Sequence, residues 1–146
     1  MALQVDTSTL DQFPPGEEIG GCVWFVAGAP FPEKDWYDYP LVLVAWWLQV
    51  LLRLASGETT HDEVCFMDGP FVVRVRLNAA QRLELEFIER GLTETTVCGT
   101  ATVDLITTIQ SAVEVAQRIA TACDARGFKS RDLVLLRSAI RKAAVS

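Results

Sequence analysis

The sequence predicts an α+β domain with a mainly antiparallel sheet of four to five strands and about three helices packed on one face. Three observations support this class. Apolar and polar residues alternate along short segments in the middle of the chain, apolar residues recur at helical spacing in its last third, and short turns join successive strand segments. Because short turns join antiparallel neighbours, the helices are expected to cover one face of the sheet.

Composition indicates a single globular domain over residues 1–146, since 50% of the residues are hydrophobic and 22% are charged. The net charge of -6 disfavours a nucleic-acid partner, because phosphate binding needs a basic surface. An acidic surface suits a basic protein partner instead. We interpret the basic residues near the C-terminal end as a solvated helix face: Arg126, Lys129, Arg131, Arg137, Arg141 and Lys142.

Cysteine spacing and hydropathy favour a cytoplasmic protein. Residues 1–20 contain no basic residue and no apolar core of a secretory signal. The longest apolar run, residues 41–52, is shorter than the about 20 residues that span a bilayer, so we expect no membrane partner. The four cysteines are far apart and form no C-x-x-C pair, which predicts buried, reduced thiols at Cys22, Cys65, Cys98 and Cys123.

The N-terminal part is predicted to contain a lead-in, a strand and a loop. Residues 1–18 look like a polar lead-in ending at Pro14-Pro15-Gly16, and we interpret it as flexible or partly ordered, because nothing in the sequence requires order there. The run Cys22–Ala29 is rich in β-branched and aromatic residues and predicts a strand buried on both faces. Three prolines make residues 30–40 a loop.

An apolar helix follows from Leu41 to Ser56, with Asp38 as its N-terminal cap, Pro40 in its first position and Gly57 at its end. Three valines would also suit a strand over the first half, but the length of the run favours the helix. Because its interior is almost free of charge, this helix is either buried on all sides or lends one face to a partner.

A hairpin is predicted after a short strand, residues 63–67, and the turn Asp68-Gly69-Pro70. Its strands run from Phe71 to Leu77 and from Leu83 to Ile88. Pairing Leu77 with Leu83 also places Arg76 opposite Glu84 and Arg74 opposite Glu86, so the apolar pairs and the ion pairs support one register.

The last part of the chain is predicted to hold a strand and two helices. The Thr-rich run Thr95–Val103 is broken by Gly99, which is typical of an edge or bulged strand. Asp104 is expected to cap a helix that runs to Arg126, and Ser130 a shorter final helix.

No residue pattern predicts catalysis, a cofactor or a metal. The single histidine, His61, has Asp62 and Cys65 nearby, but zinc needs three or four ligands at suitable spacing. No glycine-rich phosphate loop and no nucleophile-elbow motif is present. We therefore expect a protein that is not an enzyme, and keep a small enzyme or ligand-binding domain as a third hypothesis.

The candidate partner-binding segment is residues 31–39, in which aromatic side chains are interleaved with acidic ones. Exposed aromatics can anchor in a partner's pockets while carboxylates steer basic residues. The alternative is that Trp36 and Tyr37 fold back as a lid on the core beside Trp46 and Trp47. The predicted contact residues are Glu33, Asp35, Trp36, Tyr37 and Asp38, with His61 and Asp62 as a second loop.

Three features over residues 40–90 carry a family resemblance: the Trp-rich helix ending in Ser56-Gly57-Glu58, the segment Phe66-Met67-Asp68-Gly69-Pro70-Phe71 and the hairpin after it. Together they resemble small bacterial immunity proteins of polymorphic toxin systems. The resemblance implies a cytoplasmic, often acidic protein that neutralises a cognate toxin by direct binding. It carries over no functional residue. The alternative function is a homo-oligomeric subunit, for instance a homodimer, that uses the 41–52 helix as its interface.

Overall fold

Two antiparallel four-stranded sheets and three helices make up the part of the chain that the structure, a computed structural model, describes, residues 2–13 and 18–145. In the first sheet, the order is β1-β2-β3, and β4 also pairs with β2. Its strands are β1 (Ala2–Gln12), β2 (Ile19–Ala27), β3 (Ala29–Phe31) and β4 (Tyr37–Asp38).

The strand β1 corrects the prediction of a flexible N-terminal lead-in. Residues 2–12 pair with β2, so that Leu3 lies opposite Phe25 and Val5 opposite Val23. An irregularity between Asp6 and Asp11 shifts the register, which explains why the alternation of core residues is hard to recognise in the sequence. The Pro14-Pro15-Gly16 part of the predicted lead-in lies outside the described residues.

The second sheet has the order β5-β6-β7-β8. The predicted hairpin register is confirmed, with Leu77 opposite Leu83, Arg76 opposite Glu84 and Arg74 opposite Glu86. The predicted bulge is also present, because the pairing of β8 with β7 shifts between Phe87 and Ile88. The strands are β5 (His61–Cys65), β6 (Phe71–Leu77), β7 (Arg82–Arg90) and β8 (Thr95–Asp104).

The helices are α1 (Pro40–Ser56), α2 (Leu105–Ala125) and α3 (Arg131–Ala144). The predicted caps of α2 and α3 are confirmed: Asp104 accepts from the backbone N–H of Thr107, and Ser130 from that of Leu133. The predicted cap of α1 is wrong, because Tyr39 occupies that position and makes no side-chain cap. Pro40 at the first position of α1 has no N–H that would need a cap. The Asp38 carboxylate instead accepts hydrogen bonds from donors outside the helix.

α1 lies at the centre of the molecule, where it packs against α2, α3, β2 and β5. Ten of its 17 residues are buried, and Val42, Trp46 and Gln49 are half-buried. Because other elements of the same chain cover most of its apolar surface, α1 does not require a partner to do so.

Aromatic rings join the two sheets. Phe25 of β2 packs edge-on against Phe66 with the ring centroids 6.0 Å apart, and Phe31 of β3 lies 5.2 Å from Phe87 of β7. Phe25 also meets Trp47 of α1 at 5.2 Å. The predicted α+β class with antiparallel strands and three helices is confirmed. The strands form two sheets instead of one, and β1, which was not predicted, is a strand of the first sheet.

Candidate functional site

Asp38 joins the loop before α1 to the turn after β5. Its side chain is 1% exposed, and its two carboxylate oxygens accept hydrogen bonds from four donors. Oδ1 accepts from the backbone N–H of Tyr39 at 2.8 Å and of Met67 at 3.2 Å. Oδ2 accepts from the indole N–H of Trp36 at 3.1 Å and the backbone N–H of Asp68 at 3.0 Å. The predicted contact residue Asp38 is therefore buried, and its carboxylate is satisfied inside the chain.

Of the two alternatives for Trp36, partner contact or a lid on the core, the structure has Trp36 as a lid. It is half-buried, donates to Asp38, and packs edge-on against Phe71 with the ring centroids 5.3 Å apart. The backbone of Gly69 passes close beside it, since a Cβ added there would lie 3.4 Å from the Trp36 ring. Trp36 thus positions the loop and offers a partner only part of its surface.

Tyr37 is the predicted aromatic that faces outward, with 47% of its surface exposed. Its hydroxyl and the ring of Phe13 both lie directly over Gly20, and a Cβ at Gly20 would collide with them. Burial raises the pKa of Tyr37, and the nearby carboxylate of Asp11 raises it further. Tyr37, Phe13 and Asp11 therefore share one surface, although they come from β4 and from the strand end of β1.

Met67 lies next to Asp38, because its backbone N–H donates to that carboxylate, and the residue is 46% exposed. Asp68, Glu33 and Asp35 are exposed as well, and Lys34 is the cation among them. We name the following set the acidic aromatic surface: Asp11, Phe13, Glu33, Asp35, Tyr37, Met67 and Asp68.

The second predicted loop lies elsewhere. His61 begins β5 and Met67 follows its end, so six residues of nearly extended chain, roughly 20 Å, separate His61 from the acidic aromatic surface. Asp62 pairs with Arg53 of α1 at 2.7 Å. Burial alone would raise the pKa of Asp62, but hydrogen bonds from Arg53 and from the backbone N–H of Glu63 hold it below its usual value. Asp62 thus ties β5 to α1.

His61 instead borders a groove of about 540 Å³ on the outer face of the second sheet. Arg76 pairs there with Glu84, and Arg74 lies 3.6 Å from Glu86. The groove is therefore a charge-balanced sheet face, as the hairpin register predicted, and it offers no concentrated charge to a ligand.

Titratable groups give little support to catalysis. Among residues 2–13 and 18–145, no group of three or more His, Cys, Asp or Glu side chains could hold a metal ion. Burial raises the pKa of the Cys65 and Cys123 thiols, which disfavours the reactive thiolate. The prediction of buried cysteines is wrong for Cys98, which is exposed where the pairing of β8 is interrupted.

Within the described part of the chain, no helix is long and apolar enough to cross a membrane. Comparison with known proteins finds no matching family model, no matching curated protein and no matching solved structure.

The sequence missed four members of the acidic aromatic surface. Phe13 and Asp11 fell in the predicted lead-in, and Met67 and Asp68 were interpreted as a strand end and a turn. The signal that could have found Asp68 is the Asp-Gly-Pro turn itself, because an exposed turn with a carboxylate can belong to a binding surface. No local signal marks Phe13, since its position depends on the pairing of β1 with β2.

Proposed function

We propose that this chain is a protein-binding protein that engages a basic partner through the acidic aromatic surface. The observation that carries the proposal is the exposure of Tyr37, Phe13 and Met67, together with four carboxylates, on segments that the contacts of Asp38 and Gly20 bring together. Exposed aromatic and methionine side chains provide apolar contact area, and carboxylates around them favour a cationic partner.

Preorganisation supports the same proposal. Tyr37 of β4 pairs with Cys22 of β2, and the neighbouring Asp38 accepts four hydrogen bonds. The backbone around Tyr37 is therefore ordered before a partner binds. A surface that is already ordered loses less conformational entropy on binding, and more of the contact energy then contributes to affinity.

The finer proposal is an immunity protein that neutralises a cognate bacterial toxin in the cytoplasm by direct binding. Its support is the resemblance over residues 40–90, which supply Met67 and Asp68 to the surface, together with the net charge of -6. Many toxins that act on nucleic acid have basic substrate sites, and an acidic surface can occupy such a site.

The test compares capture of a partner by the wild type and by two triple variants. One variant removes the surface: Asp35→Ala, Tyr37→Ala and Asp68→Ala. The matched control removes two exposed carboxylates and one exposed apolar residue elsewhere: Glu58→Ala, Glu114→Ala and Val134→Ala. Circular dichroism and thermal unfolding establish that both variants remain folded.

A stoichiometric partner should bind the wild type and the control, and titration calorimetry with that purified partner should show at least about tenfold weaker binding to the surface variant, or about 1.4 kcal/mol. A loss below about threefold would show that the surface is not the binding site. If the partner arrests growth only when this protein is absent, the immunity proposal is supported. A harmless partner would refute that finer proposal and leave protein binding in place.

A further inference from the structure

We propose that the free edge of β8 pairs, antiparallel, with the same edge of a second copy of this chain. The segment concerned is residues 99–103, which follow the bulge, and we call it the β8 edge. It is distinct from the acidic aromatic surface, and the proposal goes beyond the proposed function.

The other long sheet edges are covered or charged. On β1, the guanidinium of Arg126 donates to the backbone carbonyl of Leu10 and, at 3.4 Å, to that of Ser8. On β5, α1 packs alongside, and Asp62 is tied to Arg53. The strands β3 and β4 have only three and two residues. These are the devices by which proteins keep open edges from pairing with other chains.

The β8 edge lacks those devices. The strand has ten residues, and from Thr95 to Val103 it contains no charge, lysine or proline. β3 approaches but does not pair with β8, and a cleft of about 180 Å³ lies between them. Among the described residues, the side chain that donates to residues 99–103 is Arg82, 3.5 Å from the carbonyl of Thr102, which is the outer limit of a hydrogen bond. Within the described residues, the edge is therefore open to another strand.

A second copy fits this edge because the segment is complementary to itself. With Ala101 opposite Ala101 of the second copy, Thr100 lies opposite Thr102, and Gly99 lies opposite Val103. Thr100 and Thr102 face the same side, since they pair with Glu86 and Glu84 of β7. Threonine pairs across strands are favourable, and glycine leaves room for the valine.

Charge also favours this arrangement. The two threonine positions separate Glu86 of one copy from Glu84 of the other by three strand spacings, about 14 Å, so no like charges are brought directly opposite. The pairing would join the two second sheets into one continuous eight-stranded sheet.

Sedimentation velocity tests the proposal with the wild type and two double variants, from about 1 µM to 1 mM, a range in which weak interfaces titrate. Thr100→Lys with Thr102→Lys places lysine opposite lysine twice, and should weaken self-association at least about tenfold. Thr100→Lys with Thr102→Glu places lysine opposite glutamate twice, and should keep the dissociation constant within about threefold of the wild type.

Thermal unfolding checks that both variants fold, since the introduced glutamate also lies beside Glu84 of its own chain. A wild type that stays monomeric throughout overturns the proposal, and so does a dimer that the double-lysine variant leaves intact. Loss of the dimer in both folded variants overturns the register on which the proposal depends. If the wild type is monomeric and captures a protein partner that the double-lysine variant no longer binds, the proposal is overturned. The β8 edge then pairs with a strand of that partner instead of a second copy.

Discussion

The carboxylate of Asp38 accepts a 3.0 Å hydrogen bond from the backbone N–H of Asp68, thirty residues further along the chain. This bond, with that from the backbone N–H of Met67 to the same carboxylate, holds the turn after β5 against the loop before α1. Two segments that the sequence marked separately, the aromatic loop and the Asp-Gly-Pro turn, are thereby held together.

Replacing Asp38 should destabilise the fold more than its single charge suggests. Asp38→Ala leaves the partly buried backbone N–H groups of Met67 and Asp68 and the indole N–H of Trp36 without their acceptor, and we expect a loss of about 2–4 kcal/mol in the free energy of unfolding. Asp38→Asn retains one oxygen but turns an amide donor toward other donors, so it should also be costly. Urea unfolding measures both. Glu33→Ala, at an exposed position of the same loop, is the control and should change the free energy by less than about 0.5 kcal/mol.

Gly69→Ala should be more destabilising than Gly127→Ala, although both glycines have a positive φ, 74° and 71°. A Cβ at Gly69 would lie 3.0 Å from the ring of Phe71 and 3.4 Å from that of Trp36, whereas one at Gly127 meets no atom within 4 Å. Backbone strain alone should cost Gly127→Ala about 1 kcal/mol, and crowding should add about 1–2 kcal/mol at Gly69. Equal urea midpoints for the two variants would contradict the close packing of this turn.

Glu63→Gln should remove a stabilising contribution that depends on pH. Glu63 accepts from both terminal nitrogens of Arg90, at 3.1 and 2.6 Å, and this holds its pKa below the usual value despite the opposing effect of burial. The contribution is therefore complete above the unfolded pKa of about 4.3, and it disappears as the pH falls through the lower pKa of the folded state.

Since the Glu63 side chain is 37% exposed, solvent screening limits the effect to about 0.5–1 kcal/mol at pH 7. The difference in unfolding free energy between the wild type and Glu63→Gln should shrink from about pH 5 downward. Glu114→Gln, on the exposed side of α2, is the control and should show only a small difference at pH 7. A Glu63→Gln difference that is unchanged at pH 3 would show that the Arg90 pair does not stabilise the fold.

Much of the fold was predictable because it depends on local patterns. The hairpin register follows from alternation in β6 and β7, and the caps of α2 and α3 from single residues, Asp104 and Ser130. β1 was not predictable in the same way. Its core residues change parity at the irregularity after Asp6, so no constant period of two marks it as a strand.

The candidate site was predictable only in part. Tyr37, Glu33 and Asp35 are exposed as expected, whereas Asp38 is buried and Trp36 packs inward. The composition of residues 31–39 is compatible with either outcome, because aromatic side chains are common both in cores and at interfaces.

The sequence by itself determined the α+β class, the antiparallel hairpin, the limits of α1 and the Thr-rich strand with its bulge, since each depends on periodicity, turns and caps within a short stretch. Only the tertiary structure decided that Asp38 faces inward, that Tyr37 and Phe13 both lie over Gly20, and that no described strand covers the outer edge of β8. Those properties depend on contacts between residues far apart in the chain. Many side chains could have satisfied the same local pattern, and packing selected among them.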